Sequence, residues 1–363
     1  MRSTGHIRVL IVDDSAVVRT VLSRALSKES DIKVIGSAKD PYEARELIIA
    51  FRPNVIILDI EMPRMDGLTF LRKLQEHYPV PVIMCSGVAP ANSAAALKAI
   101  ELGAIDIVAK TGGGSRDIRR LGVDLADKIR AAAVAMPVPP SIPVSTRATP
   151  TSCRASGIDP SRYLVAVGAS TGGTEAIKEL LSHMPADFPP VVIVQHMPQG
   201  FTRSFAERLN QFSAMTVAEA TDGDTLAPGK AFVARGEVQM HVVCDTGRLR
   251  LRYGTDELVN RHCPSVDVLF DSVIQCAPRR AVGVIMTGMG ADGAKGLLRL
   301  RQTGAITIGQ TRESCVVYGM PKVAFELGAV QHTASPAAIP HTVLDAIVQR
   351  EKQARPAAKT LSR

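Results

Sequence analysis

The sequence predicts an α/β protein of two domains, each organised around a mostly parallel sheet. The chain has 363 residues, which exceeds one ordinary hydrophobic core and suits two domains of typical size. Short apolar runs alternate with segments of helical period in both halves of the chain. Between the halves, positions 135–157 are rich in Pro, Ser and Thr and have no apolar period, so they predict a linker.

These patterns divide the chain into four parts. We assign residues 7–130 to the first domain, 131–157 to the linker and 158–350 to the second domain. Residues 351–363 form a basic tail that we expect to be disordered.

Strand and helix patterns follow one another in both domains. In the first domain the strand-like runs are IRVLIV, VIILDI, PVIMCS and IDIVAK, separated by segments of helical period such as AVVRTVLSRALSKE and AALKAIELGA. In the second domain the strand-like runs are YLVAVGAS, PVVIVQH, KAFVAR, RAVGVIMTG and AITIGQ. Strands that alternate with helices predict parallel sheets, in which functional groups gather where the strands end.

Composition narrows the class of protein. Hydrophobic residues make up 46% and charged residues 21%, and no apolar run reaches the roughly 18 to 20 residues of a membrane helix. The first residues lack the apolar segment of a secretory signal, and the six cysteines include no C-x-x-C pair. We therefore expect a cytoplasmic protein without membrane insertion. The net charge of +8 permits an acidic partner but gives no reason to expect nucleic acid.

Five polar residues stand at strand ends of the first domain: Asp13, Asp14, Asp59, Ser86 and Lys110. Three carboxylates at one edge would repel one another unless a cation joined them, and Mg²⁺ prefers such oxygen ligands. The lysine and the hydroxyl could hold a phosphoryl group. Taken singly, the acids could instead cap a helix or a turn and the lysine could be a solvated charge. Their joint appearance favours a site.

At these residues the first domain resembles the receiver domain of two-component response regulators, which has a flavodoxin-like, five-stranded parallel sheet. The resemblance covers roughly the first 125 positions. It implies that Asp59 accepts phosphate from a histidine kinase and that Asp13 and Asp14 hold Mg²⁺ together with it. It also implies that Ser86 and Lys110 contact the phosphoryl group.

The second domain opens with a serine between a predicted strand and a predicted helix. Gly168 to Gly172 spell G-x-S-x-G, the setting in which a sharp turn exposes the hydroxyl of Ser170. A phosphate-binding P-loop is excluded because Thr174 stands where its lysine is required. A serine nucleophile needs a base, and His196, at the end of its strand, is the leading candidate with His262 second.

A glycine-rich turn, TGMGADG, leaves two interpretations open. Gly288, Gly290 and Gly293 match G-x-G-x-x-G with Glu313 about 20 residues on, which suits a dinucleotide site. Asp292 lies inside the turn, where a carboxylate would oppose a pyrophosphate but could orient a histidine base. The same turn would leave backbone N–H groups near Met289 for an oxyanion.

The motifs GASTGG, QHMP, HCPSVDVLF and TGMGADG together resemble the CheB family of chemotaxis methylesterases. The resemblance implies a phosphorylation-activated serine hydrolase that demethylates γ-glutamyl methyl esters on methyl-accepting chemotaxis receptors and deamidates receptor glutamines. The kinase CheA would be the phosphodonor, and hydrolysis would need no cofactor.

Within that family, the resemblance implies that Ser170, His196 and Asp292 are catalytic and that the N–H groups of Thr171 and Met289 form the oxyanion hole. The unphosphorylated receiver is expected to pack over the serine and to loosen when Asp59 carries phosphate.

Overall fold

The computed structural model describes residues 6–87, 90–110, 115–135, 152–153 and 157–354. They form two α/β domains, one on each side of the predicted linker, most of which lies outside the described residues. No helix in this part of the chain is both long and apolar enough to cross a membrane.

The first domain is a five-stranded parallel sheet with the strand order β2-β1-β3-β4-β5, which confirms the predicted flavodoxin-like fold. Its second strand is an edge strand with much partly exposed surface, which explains its weak sequence signal. Its strands are β1 Ile7–Val12, β2 Ile32–Ala38, β3 Val55–Asp59, β4 Val82–Ser86 and β5 Asp106–Ala109. Its helices are α1 Ala16–Leu26, α2 Pro41–Phe51, α3 Gly67–His77, α4 Pro90–Glu101 and α5 Ser115–Val134.

The second domain contains a seven-stranded sheet of order β14-β13-β12-β6-β7-β9-β8, in which every pairing is parallel, and a separate antiparallel hairpin, β10-β11. The predicted α/β class is confirmed. Its strands are β6 Leu164–Ala169, β7 Val191–Gln195, β8 Thr216–Glu219, β9 Lys230–Val233, β10 Met240–Asp245, β11 Arg248–Tyr253, β12 Ala281–Ile285, β13 Ile306–Gln310 and β14 His332–Ala334. Its helices are α6 Gly173–Ser182, α7 Gln199–Phe212, α8 Val266–Cys276, α9 Ala294–Gln302, α10 Met320–Glu326 and α11 Ile339–Ala354.

Two helices extend past the predicted domain ends. Helix α5 continues to Val134 rather than stopping at 130, because the Ala-rich residues there are strong helix formers. Helix α11 includes residues 351–354, which we had assigned to the tail, and the rest of the predicted tail lies outside the described residues.

The strand order of the second domain changes direction at β6, and this switch point leaves a crevice in which a ligand can bind. Strand β6 is buried along its whole length and lies between β12 and β7, so the chain leaves it on one side and returns on the other. In open parallel sheets, ligands bind outside the carboxyl end of a strand at such a switch point. Residue 170 follows β6 directly.

The two domains contact each other through α4 of the first and α7 of the second. Arg208 on α7 donates to the backbone oxygen of Leu97 at 2.9 Å and pairs with Glu101. The Ser93 hydroxyl donates to the backbone oxygen of Gly200 at 2.7 Å. These contacts place β5 and α5 of the first domain beside the carboxyl edge of β6.

The close approach of Gly67 to β3 gives a stability prediction. A Cβ at Gly67 would lie 2.0 Å from the backbone oxygen of Asp59, so Gly67→Ala must displace the residue we expect to be phosphorylated. We expect the free energy of unfolding to fall by about 1–3 kcal/mol in denaturant titrations, as in overpacked cores. Gly36→Ala is the control, because its Cβ would meet only leucine side chains at 3.5 Å. Equal stability of the two variants would refute the steric argument.

Candidate functional sites

The structure brings the predicted acidic residues of the first domain together. Side-chain oxygens of Asp13, Asp14 and Asp59 all lie within 4.8 Å of one another. The Lys110 ammonium is 2.7 Å from Asp59 Oδ1 and 3.0 Å from Asp13 Oδ2. Ser86 is buried at the end of the neighbouring strand. The helix-capping alternative fails for α1, because its N-cap is Ser15.

The electrostatics of this cluster suit a cation. Burial, together with the charge of Asp13, raises the pKa of Asp59 to about 6 against the opposing hydrogen bond from Lys110. Oδ2 of Asp59 is buried and has no hydrogen-bond partner among the described residues. Oxygens converging in this way fit a hard divalent ion such as Mg²⁺, which would relieve the repulsion between the carboxylates.

Ser170 occupies a sharp turn between β6 and α6. Its N–H donates to the backbone oxygen of Thr287 at 3.0 Å, and its own carbonyl accepts from Gly173 N–H at 2.7 Å. Gly172 has a φ of +78°, in the left-handed region, and a Cβ at Gly173 would lie 2.0 Å from Oε1 of Gln195. The glycines of the motif are therefore required by the turn and by its close packing.

His196 follows β7, the neighbour of β6, and lines one small cavity together with Ser170. Its Nε2 lies 2.9 Å from Oδ2 of Asp292. Its Nδ1 is buried and has no hydrogen-bond partner among the described residues. Nδ1 is thus the ring nitrogen left available for a serine hydroxyl.

Asp292 is buried and accepts hydrogen bonds on both carboxylate oxygens. Besides His196, its donors are Ser265 Oγ at 2.7 Å, Val266 N at 2.7 Å, Asn260 Nδ2 at 2.8 Å and Asp267 N at 3.3 Å. Burial alone would raise the pKa of Asp292, but the hydrogen bond and charge of His196 hold it well below its ordinary value, with further hydrogen bonds acting in the same direction. The carboxylate is therefore ionised and can orient an imidazole.

The same geometry disfavours the dinucleotide interpretation of the glycine-rich turn. The carboxylate of Asp292 is turned inward, and a Cβ at Gly288 would lie 2.7 Å from the Cβ of Ser170. The absence of a side chain at Gly288 therefore lets the loop that carries Ser170 pack against the glycine-rich turn. This packing explains the glycine without a bound dinucleotide. A hydrogen bond also joins the loops that carry Thr171 and Met289, since Thr287 Oγ1 donates to the Thr171 backbone oxygen at 3.0 Å.

Two charged residues of the first domain, Asp106 and Lys128, reach this site, and sequence analysis missed both. Asp106 Oδ2 accepts from the Thr171 hydroxyl at 2.5 Å, and Asp106 Oδ1 accepts from Lys128 Nζ at 2.7 Å. Both residues line the cavity that contains Ser170 and His196. Burial alone would lower the pKa of Lys128, but neighbouring carboxylates raise it, so the ammonium remains charged. Sequence motifs within one domain do not indicate contacts that form only when the two domains pack together.

His262, our second candidate for the base, lies against the first. Its ring stacks on that of His196 with centroids 3.7 Å apart and planes within 10°. Burial, followed by the charge of His196, lowers the pKa of His262 to about 3. It is therefore neutral at pH 7 and a weak base. Of the two residues before it, only Asn260 carries a turn signal in the sequence, because asparagine tolerates a left-handed backbone.

An interdomain cleft of about 1,640 Å³ leads to the same place. It is lined by Lys110 and α5 residues of the first domain and by His196, His262 and Arg235 of the second. The histidine side of the site therefore borders a large cleft, whereas residues of the first domain line the serine side.

Comparison with protein families matches both domains. Residues 165–343 match the family model described as CheB methylesterase, and residues 9–121 match that of the response regulator receiver domain. The catalytic domain of the Thermotoga maritima CheB methylesterase has a similar crystal structure, with a TM-score of 0.50 and 34% sequence identity. The alignment covers 51% of this chain and 98% of that domain.

Full-length relatives show the same similarity. The chain is 48% identical over 326 residues to protein-glutamate methylesterase/protein-glutamine glutaminase 2 of Syntrophus aciditrophicus, covering 90% of this chain and 95% of the relative. It is 47% identical over 327 residues to the protein-glutamate methylesterase/protein-glutamine glutaminase of Salmonella typhimurium, covering 90% and 93% of the two chains.

Proposed function

The chain belongs to the CheB methylesterase family, and from this premise we propose that Ser170, His196 and Asp292 carry its hydrolytic chemistry. The protein is a protein-glutamate methylesterase and protein-glutamine glutaminase of chemosensory adaptation, controlled by a receiver domain. Its substrates are methyl-accepting receptors. One observation above all supports the assignment of the site, namely the 2.9 Å contact between His196 and a buried carboxylate, at the strand edge occupied by Ser170.

Hydrolysis begins with Ser170 Oγ attacking the carbonyl carbon of the glutamyl ester. The serine proton passes to Nδ1 of His196, while Asp292 holds Nε2 and stabilises the imidazolium. Backbone N–H groups of Thr171 and Met289 bind the oxyanion. The imidazolium then returns its proton to the departing methoxide, so methanol leaves and an acyl-serine remains.

Water completes the cycle. The water oxygen attacks the acyl carbon while Nδ1 of His196 takes a proton from the water. The imidazolium then gives that proton to the serine oxygen as it leaves. The products are a receptor glutamate and the original serine. A receptor glutamine presents its carbonyl in the same way, with ammonia as the leaving group. Because these residues supply nucleophile, base and orienting acid, we propose that hydrolysis needs no cofactor.

The receiver domain supplies control through Asp59. We propose that Asp13, Asp14 and Asp59 hold Mg²⁺, which when bound neutralises charge as a phosphoryl group approaches. Ser86 and Lys110 would contact that group, and the histidine kinase CheA would be the donor. Free thiols such as those of Cys85, Cys153 and Cys315 and a substrate on cytoplasmic receptor helices support a cytoplasmic location. We propose neither membrane insertion nor a nucleic-acid partner.

Strand β5 gives a route from the phosphorylated site to the esterase site. Its first residue, Asp106, accepts the hydrogen bond from Thr171, and Lys110 directly follows its last residue. A shift of Lys110 toward a phosphoryl group on Asp59 would move a strand of only four residues. We propose that this movement weakens the receiver's hold on the serine side and shifts the equilibrium toward an open enzyme.

The first experiment tests the nucleophile. Methanol release from methylated receptor membranes is measured for wild type and Ser170→Ala, with and without acetyl phosphate. We expect release by wild type, stimulated by the phosphodonor, and a loss of at least about 10³-fold in Ser170→Ala. Near-normal release by the variant would exclude Ser170 as the nucleophile.

Removal of metal separates the two sites. With EDTA, acetyl phosphate should no longer stimulate wild type, because the carboxylate cluster then lacks its cation, whereas unstimulated methanol release should persist. Added Mg²⁺ should restore stimulation in wild type but not in Asp59→Asn. If EDTA also stopped the unstimulated reaction, a metal would have to be assigned to hydrolysis.

The domain contact can be loosened away from both sites. Arg208→Ala removes the pair with Glu101 and the bond to the Leu97 carbonyl, so it should raise unstimulated methanol release. We expect about a fivefold rise, because a net loss of about 1 kcal/mol changes an equilibrium constant by that factor. Arg252→Ala is the control, since its partner Asp222 lies within the same domain. If Arg208→Ala and Arg252→Ala released methanol at the same unstimulated rate, the receiver would not inhibit the esterase by packing against it through this contact.

A further inference from the structure

The turn that carries His262 is built under backbone constraint. Residues 259–262 are closed by two backbone hydrogen bonds, from Val259 N to His262 O at 3.0 Å and from His262 N to Val259 O at 2.9 Å. The two central residues, Asn260 and Arg261, have φ values of +53° and +71°. This is a two-residue turn in which both central residues have a left-handed backbone. A residue with a side chain as large as that of arginine rarely adopts this conformation. Contacts made by the turn must offset that cost.

The turn is anchored to the catalytic acid. Asn260 Nδ2 donates to Asp292 Oδ1 at 2.8 Å and to Asp267 Oδ2 at 2.7 Å, so one amide bridges two buried carboxylates. On the other side, Gln239 Nε2 donates to the His262 backbone oxygen at 3.2 Å. The backbone of His262 is therefore fixed relative to the acid that binds His196.

The side chain of His262 then covers one face of the His196 ring. The centroid distance of 3.7 Å and the interplanar angle of 10° describe a parallel stack. A ring in this place opposes rotation of the His196 imidazole away from Asp292. It also offers a neutral π face to the positive charge that His196 acquires during hydrolysis.

We propose that His262 is a positioning residue for hydrolysis: its stacked ring holds the His196 imidazole so that Nδ1 faces the serine, and it transfers no proton itself. The proposal rests on the proposed function of Ser170, His196 and Asp292. The groups around His262 favour the neutral ring. Burial and the positive charges of His196, Lys128 and Arg261 lower its pKa to about 3, against the opposing effect of Asp292. At neutral pH such a group is a poor acceptor of protons.

The test compares His262→Ala with His262→Phe, which keeps a flat ring but cannot carry a proton. The full chain is activated with Mg²⁺ and acetyl phosphate, so that any loosening of the domain contact does not contribute. kcat and KM for methanol release from methylated receptor membranes are measured between pH 6 and 9.

We expect His262→Ala to lose about 10- to 100-fold in kcat, as for a misplaced catalytic group, with little change in KM. His262→Phe should recover most of kcat and keep the wild-type pH profile. The proposal is wrong if the phenylalanine variant is as slow as the alanine variant or loses one limb of the profile, because His262 would then transfer protons. It is also wrong if His262→Ala keeps full kcat.

Two controls separate this proposal from the function on which it rests. Ser170→Ala in the same assay must be inactive, since activity there would remove the proposed mechanism and this role with it. With Ser170→Ala inactive, failure of the His262 series overturns only the positioning role. Thermal unfolding of His262→Ala, compared with the phenylalanine variant, shows whether a loss of kcat reflects loss of fold.

Discussion

The proposed esterase site depends on one buried negative charge, the carboxylate of Asp292. A charge in the protein interior is stable only when its oxygens are bonded, and removal of one partner of a buried pair typically costs about 3–5 kcal/mol. Ser265, Val266 and Asn260 all donate to it beside His196. These donors come from the start of α8, the preceding turn and the end of β7, so elements distant in sequence are ordered by the need to bond one group.

The receiver contacts the proposed esterase site from its serine side, and in the proposed mechanism it controls the site there. Asp106 and Lys128 form a buried pair against Thr171, and Lys110, at the other end of the same strand, contacts Asp59. Because close-packed elements shift as units, a movement at one end of β5 is passed to the other. In the proposed mechanism, therefore, phosphate would alter the esterase site without reaching it.

Much of the fold, and the positions of the candidate site residues within it, could be predicted because their signals are local. Parallel strands leave continuous apolar runs, and residues such as Asp59, Ser170 and His196 stand where those runs stop. Asp106 and Lys128 could not be predicted, since their role depends on how two domains meet. The stacking of the His262 ring on that of His196 could not be predicted either, because the spacing of residues along the chain does not determine how their rings are oriented.

The domain contact contains two kinds of charge pair, and they differ in their sensitivity to dissolved ions. The cluster of Arg208, Glu101 and Lys178 is partly exposed, so dissolved salt screens its charges more than those of a buried pair. The pair of Lys128 and Asp106 is shielded from solvent and responds much less. If packing of the receiver inhibits the enzyme as proposed, higher ionic strength would loosen the rim of the contact before its centre. Unstimulated activity would then depend on the surrounding electrolyte as well as on the phosphodonor.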